Sequence, residues 1–578
     1  MGATVVVVLA LSLIPVAVVP RVQSTRPMFT DIAPPSMADS SAVSDGACFS
    51  DIYGDGREDL FVTNMSGPSH LWRNDGDGHF TDVTATSGIT VANATSCAFV
   101  DFDGDGLPDL YVTSRSRATA SQNTDEESKL FRNDGGGHFT DATATAGVGL
   151  PGRRVLSSDW ADFNGHGLYG GYVPARSGPP PTRANALFEP IAPFKFIDIA
   201  HAKGLDKRKD VPTSIFLGSW FDYNGDGRPD LLLAVDFWGV ELYRNDGGTF
   251  TRVTATAFHQ LANSTRGAPP TNAMGVTWGD YDNDGCIDVF ITGFNTYGQA
   301  GFGADRLGDL ASRLYHNNCD GTFTDVTKEV GLRPTGEMEW SANFVDFDND
   351  GDLDLAVVAG NSGKDTTRPT LGLAFAKRAA TIGVSALKLF ISAPLAAWLY
   401  RYEAMVPALG EKGIAAAMPL HLYRNLLAET GTARFVDVTD QLAVANMGST
   451  QGSAWADIDN SGRLSWFVPG KGTPSRLFRN NGPAGHYLRV HVVGSKLRDA
   501  VGAWVKIKTG KGWQVRHVHV LDGFASQSQM DPHFGLGSAT MVDELWVRWP
   551  GLTTWERLCT EVPADRKVTV IQGRPGCL

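Results

Sequence analysis

Basic residues are in deficit in this chain. Fifty Lys and Arg stand against 63 Asp and Glu, a formal charge of −13 over 578 residues. No basic stripe is available for a phosphate backbone, so no nucleic-acid partner is expected. The same sign argues against docking on an anionic membrane surface. Past the N-terminus no segment supplies the roughly 20 apolar residues that cross a bilayer, so no transmembrane span is expected. Several catalytic signatures are missing too: G-x-S-x-G, the phosphate-binding loop, H-E-x-x-H and C-x-x-C. There is no Arg-Gly-Asp, so mimicry of that integrin ligand has no support. The chain reads as non-catalytic.

Cysteines are few, only six, which fits paired thiols in an oxidising compartment. Cys559 and Cys577 bracket the C-terminal tail, and Cys286 and Cys319 fall in one repeat. Cys48 and Cys97 precede the loops of neighbouring repeats and pair by elimination. Spacing alone leaves the connectivity open. At the start, Val5 to Val19 form an apolar run of 15, short for a membrane span and normal for a signal-peptide core. Val22 and Ser24 place small residues before a cut after Ser24, so residues 1–24 read as a signal peptide. No Lys or Arg precedes the core, and an uncleaved anchor is the alternative. Asn64, Asn93 and Asn263 open Asn-x-Ser/Thr sequons that permit N-glycans.

What is abundant is turn residues, 65 Gly and 30 Pro, and they punctuate a repeat. Three phrases recur seven times in fixed order. One resembles "FTDVT" and begins at Phe29, Phe80, Phe139, Phe196, Phe250, Phe323 and Phe435. The second is an acidic loop opening at Asp51, Asp101, Asp162, Asp222, Asp280, Asp346 and Asp457, each with an aromatic residue two places earlier. The third resembles "LYRNDG" and begins at Leu71, Leu130, Leu187, Leu242, Leu314, Leu422 and Leu477. The flanks alternate and are rich in β formers, and the third phrase leads through a tight turn into the first, a hairpin. One repeat thus gives four strands at a period near 60 residues, the content of a propeller blade. The expected fold is all-β: a seven-bladed β-propeller over residues 27–482, followed by a small β-sandwich or barrel-like domain over 485–573. An orphan strand at Phe29 should complete the seventh blade and close the ring, removing an open edge. Blade six carries an insertion, 361–419, that reads as helical; a surface helix pair is the expectation, and a lid or partner-binding arm the alternative.

The loops follow D-x-[DN]-x-D-G-x-x-D. Calcium takes six to eight oxygens, and short carboxylates at positions 1, 3, 5 and 9 with a carbonyl at position 7 can wrap one ion. Four copies are complete: Asp101/Asp103/Asp105/Asp109, Asp222/Asn224/Asp226/Asp230, Asp280/Asp282/Asp284/Asp288 and Asp346/Asp348/Asp350/Asp354. Asp51/Asp55/Asp59 is weaker because Tyr53 stands at position 3. The loops at Asp162 and Asp457 lack an acid at position 9 and should bind weakly or not at all. Position 12 is apolar and the flanks are strands, so these are not EF-hands. About four to five calcium ions are expected, one per carboxylate-rich loop.

"DFDGDGLPDLYV" and "FDYNGDGRPDLLL" resemble FG-GAP/VCBS repeats of integrin-α-like propellers. "DAVGAWVKI" from Asp499, "SQSQMDPHFGLG" from Ser526 and "VDELWVRWPG" from Val542 resemble the ASPIC/UnbV domain. Together they resemble the cartilage acidic protein family over nearly the whole chain. "SKLRD" stands where that domain usually has an Asn-Arg pair, and the helical insertion is unusual. The resemblance implies an extracellular calcium-binding protein with matrix or cell-surface roles. It hands over no reaction. The function expected is non-catalytic recognition or adhesion of an extracellular protein or glycan by a secreted monomer. The alternative is a secreted enzyme with a metal or acid/base site in the C-terminal domain or under the blade-six insertion. His517, His519, His533 and Asp531 are the residues such a site would use.

Overall fold

The computed structural model describes residues 28–38, 42–115, 127–177, 185–205, 215–235, 239–258, 273–293, 311–333, 338–360, 420–439, 449–483 and 485–578. The expected signal peptide, the 361–419 insertion and the Asn263 sequon lie outside the described residues.

Seven four-stranded antiparallel sheets follow one another along the chain. Sheet I takes strands Ala47–Ser50, Asp59–Val62, His70–Gly76 and His79–Asp82. Sheets II to VI repeat this order from first strands Ala94–Val100, Asp159–Ala161, Ile215–Phe221, Val276–Gly279 and Glu339–Val345. In each, the acidic loop joins the first two strands and the last two form a hairpin. Sheet VII has Ala454–Ala456, Ser465–Val468 and Arg476–Asn480, and its fourth strand is Phe29–Asp31 from the chain's start. Phe29 pairs with Asn480 and Asp31 with Phe478, as the orphan phrases predict.

The aromatic residues before the loops explain how the sheets pack. Phe99, Trp160, Trp220, Trp278 and Trp455 are buried between neighbouring sheets, where Trp278 stacks on Phe221 at 4.3 Å and Trp220 on Phe163 at 5.2 Å. A disulfide joins Cys48 of sheet I to Cys97 of sheet II, another joins Cys286 to Cys319 within sheet V, and a third joins Cys559 to Cys577. These are the pairs the spacing suggested.

A second device links sheet to sheet. In six of the seven sheets the Asn that ends the "LYRN" phrase sends its side-chain amide to a loop carbonyl of the preceding sheet. Asn133 donates to Ile52, Asn245 to Phe163, Asn317 to Tyr223, Asn425 to Tyr281 and Asn480 to Phe347, at 2.6–3.2 Å. Asn74 of sheet I donates to Ile458 of sheet VII at 2.8 Å, joining the first sheet to the last.

The C-terminal region forms a three-stranded sheet (His533–Gly537, His486–Val493, Arg566–Ile571) and a four-stranded one (Gly512–His517, Trp504–Thr509, Met541–Arg548, Glu556–Pro563). They share a core of Leu488, Val490, Val505, Ile507, Phe534, Leu545 and Val547. Between Val518 and Gln529 the chain leaves this domain and runs among the first strands of the other sheets. Gln527 exchanges backbone hydrogen bonds with Ala47 and Phe49, and its amide spans Phe99 N and O at 2.7 and 3.1 Å. Leu521 N donates to Asp159, Gly523 N to Val276 O, Phe524 N to Ser341 Oγ and Gln529 N to Trp455 O. Phe524 also packs edge-on against Phe216 of sheet IV. One buried segment thus touches the first strand of all seven sheets.

Candidate metal centres and the surface around them

All seven loops share a frame. The carboxylate at position 1 accepts from the backbone N–H of positions 5 and 6. Asp222 does so from Asp226 and Gly227, both at 3.0 Å, and Asp457 from Ser461 and Gly462, both at 2.9 Å. Such wrapping needs two left-handed residues. Position 6 is always Gly, with φ from 76° to 106°. Position 4 is left-handed as well and is always Gly or Asn, for example Gly104 at φ 80° and Asn349 at φ 58°, because only these adopt that region cheaply. This second constraint stands in the sequence at every loop and escaped the ligand pattern.

The Asp at position 9 is a strut as well as a candidate ligand. Asp109 accepts from Phe102 N at 2.9 Å and from Asn133 N at 2.8 Å, tying the loop to the hairpin. Asp59, Asp230, Asp288 and Asp354 make the equivalent pair of bonds. In sheet III position 9 is Gly170 and the Asn is replaced by Pro190, so acceptor and donor are lost together.

In at least three of the four complete loops the carboxylates converge. One oxygen each from Asp101, Asp103 and Asp109 lie within 4.8 Å of one another, and so do those of Asp280, Asp282 and Asp288 and of Asp346, Asp348 and Asp354. Oxygen donors on short side chains at this separation fit a hard divalent cation. Burial, with mutual repulsion among the carboxylates, makes ionisation without a counter-charge costly. It pushes Asp109 and Asp230 up to about 8 and Asp288 up to about 7, and raises Asp280, Asp346 and Asp354 well above the ordinary range. Cationic side chains lean on the same oxygens. His316 Nδ1 lies 3.3 Å from Asp282 and 3.2 Å from Asp288, and Arg424 Nε lies 2.7 Å from Asp348. In the weaker first loop, Asp55 pairs with Arg57 and Asp59 rises to about 8 through burial.

The carboxylate at position 5 also serves the loop's own backbone. These three clusters are built from positions 1, 3 and 9, and the carboxylates of Asp105 and Asp350 stand outside them. A side chain as short as Asp reaches the N–H two residues on and closes an Asx turn. Asp105, exposed, accepts from Leu107 N at 2.8 Å, and Asp350 accepts from Asp352 N at 3.0 Å while its other oxygen meets Arg424 at 3.2 Å. Asp226 and Asp284 make the same turn with Arg228 N and Cys286 N at 2.9 and 2.8 Å, although Asp284 also falls in a second cluster with Asp282 and His316. Asn224, the expected position-3 ligand of the remaining loop, is likewise engaged within the loop. Its Oδ1 accepts from Asp226 N at 3.0 Å and its Nδ2 donates to Asp226 Oδ2 at 3.1 Å. Asp105, Asn224 and Asp350 thus also brace the turn.

The C-terminal domain stands on these loops, a feature no motif announced. Asp499 accepts from Asp101 N at 2.6 Å. Arg548 reaches Asp222 at 3.0 Å, and Gly535 N donates to Asp346 at 3.0 Å, where an added Cβ would lie 2.2 Å from that carboxylate. Arg489, buried, joins Glu58 at the first loop to Asp531.

The histidines divide differently from the four-ligand set considered above. His517 is buried and its ring stacks on His519 at 4.3 Å, not an exposed strand pair. Asp531 is held by Arg489, His491 and Lys567, and His533 is bonded to Asn349 at 2.8 Å. Burial pushes the His533 imidazole down to about 3 and lowers His517 well below the ordinary range. Of the described sequons, Asn64 is 8% exposed and its Oδ1 accepts from Ser66 N, whereas Asn93 is half-buried. A glycan at Asn64 would have to displace that packing.

Residues 51–112, 222–291 and 302–357 match the FG-GAP-like repeat, and residues 493–575 match ASPIC and UnbV. The chain therefore carries FG-GAP-like repeats followed by an ASPIC/UnbV domain. The matched repeats contain the five carboxylate-rich loops and leave out the two that lack an acid at position 9. Among solved structures, BBS1N in complex with ARL6DN is similar at 10% identity, covering 79% of this chain and 97% of that one, with a TM-score of 0.39. A Bacillus licheniformis rhamnogalacturonan lyase is similar at 11% identity, covering 79% and 76%, with a TM-score of 0.37. A comparison with curated protein sequences gives no match.

Proposed function

We propose that this chain is a secreted member of the cartilage acidic protein family. Its seven sheets are the blades of one calcium-loaded β-propeller over residues 27–482, capped by the domain at 485–573. It acts without catalysis, presenting a rigid surface to an extracellular protein or glycan. Convergence of three carboxylates within 4.8 Å in several sheets carries the calcium reading. The same constellation recurs, which a structural ion explains better than a single reaction centre. Three disulfides support an oxidising destination, and among the described residues no helix is long and apolar enough to cross a membrane. Elemental analysis of the purified protein should find about four to five calcium ions per chain, one for each carboxylate-rich loop. A chelator should lower the melting temperature sharply. Ion-free protein that melts no lower than loaded protein would overturn the reading.

A further inference from the structure

The four-stranded sheet of the C-terminal domain has one face that starts under the propeller and ends in solvent. Alternation sends Val505, Ile507, Leu545 and Val547 into the domain's own core. On the opposite face Trp504 and Arg548 are buried near sheet IV, where Trp504 packs on Phe221. Farther along, the face opens. Trp513 is 37% exposed, and the side chains of Lys508 and Arg557 are 43% and 55% exposed. The Lys506 ammonium sits 4.8 Å from the Trp513 ring centre, 5.1 Å from Trp546 and 4.4 Å from Trp555. Lys508 approaches Trp513 at 5.6 Å and Arg557 approaches Trp546 at 5.7 Å. The carboxylate among them, Glu544, is engaged by Trp546 Nε1 at 2.9 Å, by Lys508 at 3.5 Å and by Arg557 at 3.9 Å, so one negative charge offsets part of the three positive ones.

Two indoles and three cations on one sheet face, with the half-buried Trp555 of the adjoining connection beside them, stand out on a protein of net charge −13. We propose that this face binds an anionic glycan of the uronic-acid class. Indoles stack on pyranose rings, while Lys506, Lys508 and Arg557 pair with the carboxylates. The cations already fix the rings, so little ordering remains to be done on binding. The strands bearing Trp513 and Trp546 are separated by one strand, hence about 10 Å apart, a span of about two sugar rings. A peptide would look for an open strand edge or a groove; this face offers ring planes and point charges instead. The proposal rests on the recognition reading above and names its ligand and its site.

The test is a titration of the full chain, in calcium, with hyaluronan and chondroitin octasaccharides, read by tryptophan fluorescence and calorimetry. Binding is expected and should weaken with salt. Trp513→Ala and Trp546→Ala should each weaken it by at least ~10-fold, Trp513→Phe less, and Lys508→Gln with Arg557→Gln should flatten the salt dependence. Ion count and melting temperature, measured alongside, report on the loops independently of the sugar. No binding of either octasaccharide would overturn the proposal. So would equal binding of a neutral chitin octamer, or undiminished binding by folded Trp513→Ala and Trp546→Ala.

Discussion

Asp109 accepts two backbone N–H bonds and also converges with Asp101 and Asp103. The two roles come apart under substitution. Asp109→Asn removes the charge and keeps only one of the two acceptor oxygens, so calcium stoichiometry should fall by one and one buried N–H should lose its partner. Asp109→Ala leaves buried N–H groups unpaired and should cost a further 1–3 kcal/mol or so, roughly the penalty for orphaned donors, read by chemical denaturation with and without calcium. The amide of Asn74 makes a second separable case. It reaches Ile458 across the junction of the first and last sheets, and Asn74→Ala should destabilise by about 1–3 kcal/mol without changing the ion count.

At the scale of the loop, protons and cations compete. Asp109 and Asp230 titrate near 8 and Asp288 near 7 in the folded chain, against about 3.9 when unfolded. Between those values the folded state holds protons that the unfolded state has released. Stability of metal-stripped protein should therefore fall as pH rises from about 4 to about 8. Bound calcium keeps the carboxylates ionised and should abolish that slope. Melting curves at pH 5 and pH 8, with and without calcium, check the sign; a stripped protein more stable at pH 8 would contradict it. Much of this element was legible beforehand. Acid spacing marked the loops, and the orphan at Phe29 marked the closing strand. Each is a local consequence of side-chain periodicity. Spacing did not show how fully the carboxylates at positions 1, 3 and 5 are engaged by the loop's own backbone, as those of Asp101, Asp103 and Asp105 are. Contact between residues hundreds of positions apart also escaped. The Asn of "LYRN" looks like an ordinary turn residue until its amide is seen on the preceding sheet. Arg548 and Asp499 look like surface charges until the acidic loops they touch come into view.

Over the whole molecule, the segment around Gln527 binds seven sheets together from their midst. Gln527 is fully buried and its amide satisfies both the N–H and C=O of Phe99. Gln527→Ala orphans two backbone groups, so a loss of about 2–4 kcal/mol is expected, together with faster hydrogen exchange in the first strands of sheets I and II. Gly535→Ala should weaken the seating of the C-terminal domain on Asp346, because its new methyl meets that carboxylate.

The position of that segment in the chain also dictates an order of events during synthesis. Domains commonly fold as they leave the ribosome, N-terminal parts first. Here sheet I is made early, yet the residues it closes upon, Leu521 to Gln529, emerge among the last, and Phe29 waits for Arg476–Asn480 before it can pair. Nascent chains halted before residue 520 should consequently stay protease-sensitive throughout, and only near-complete translation should yield a resistant product.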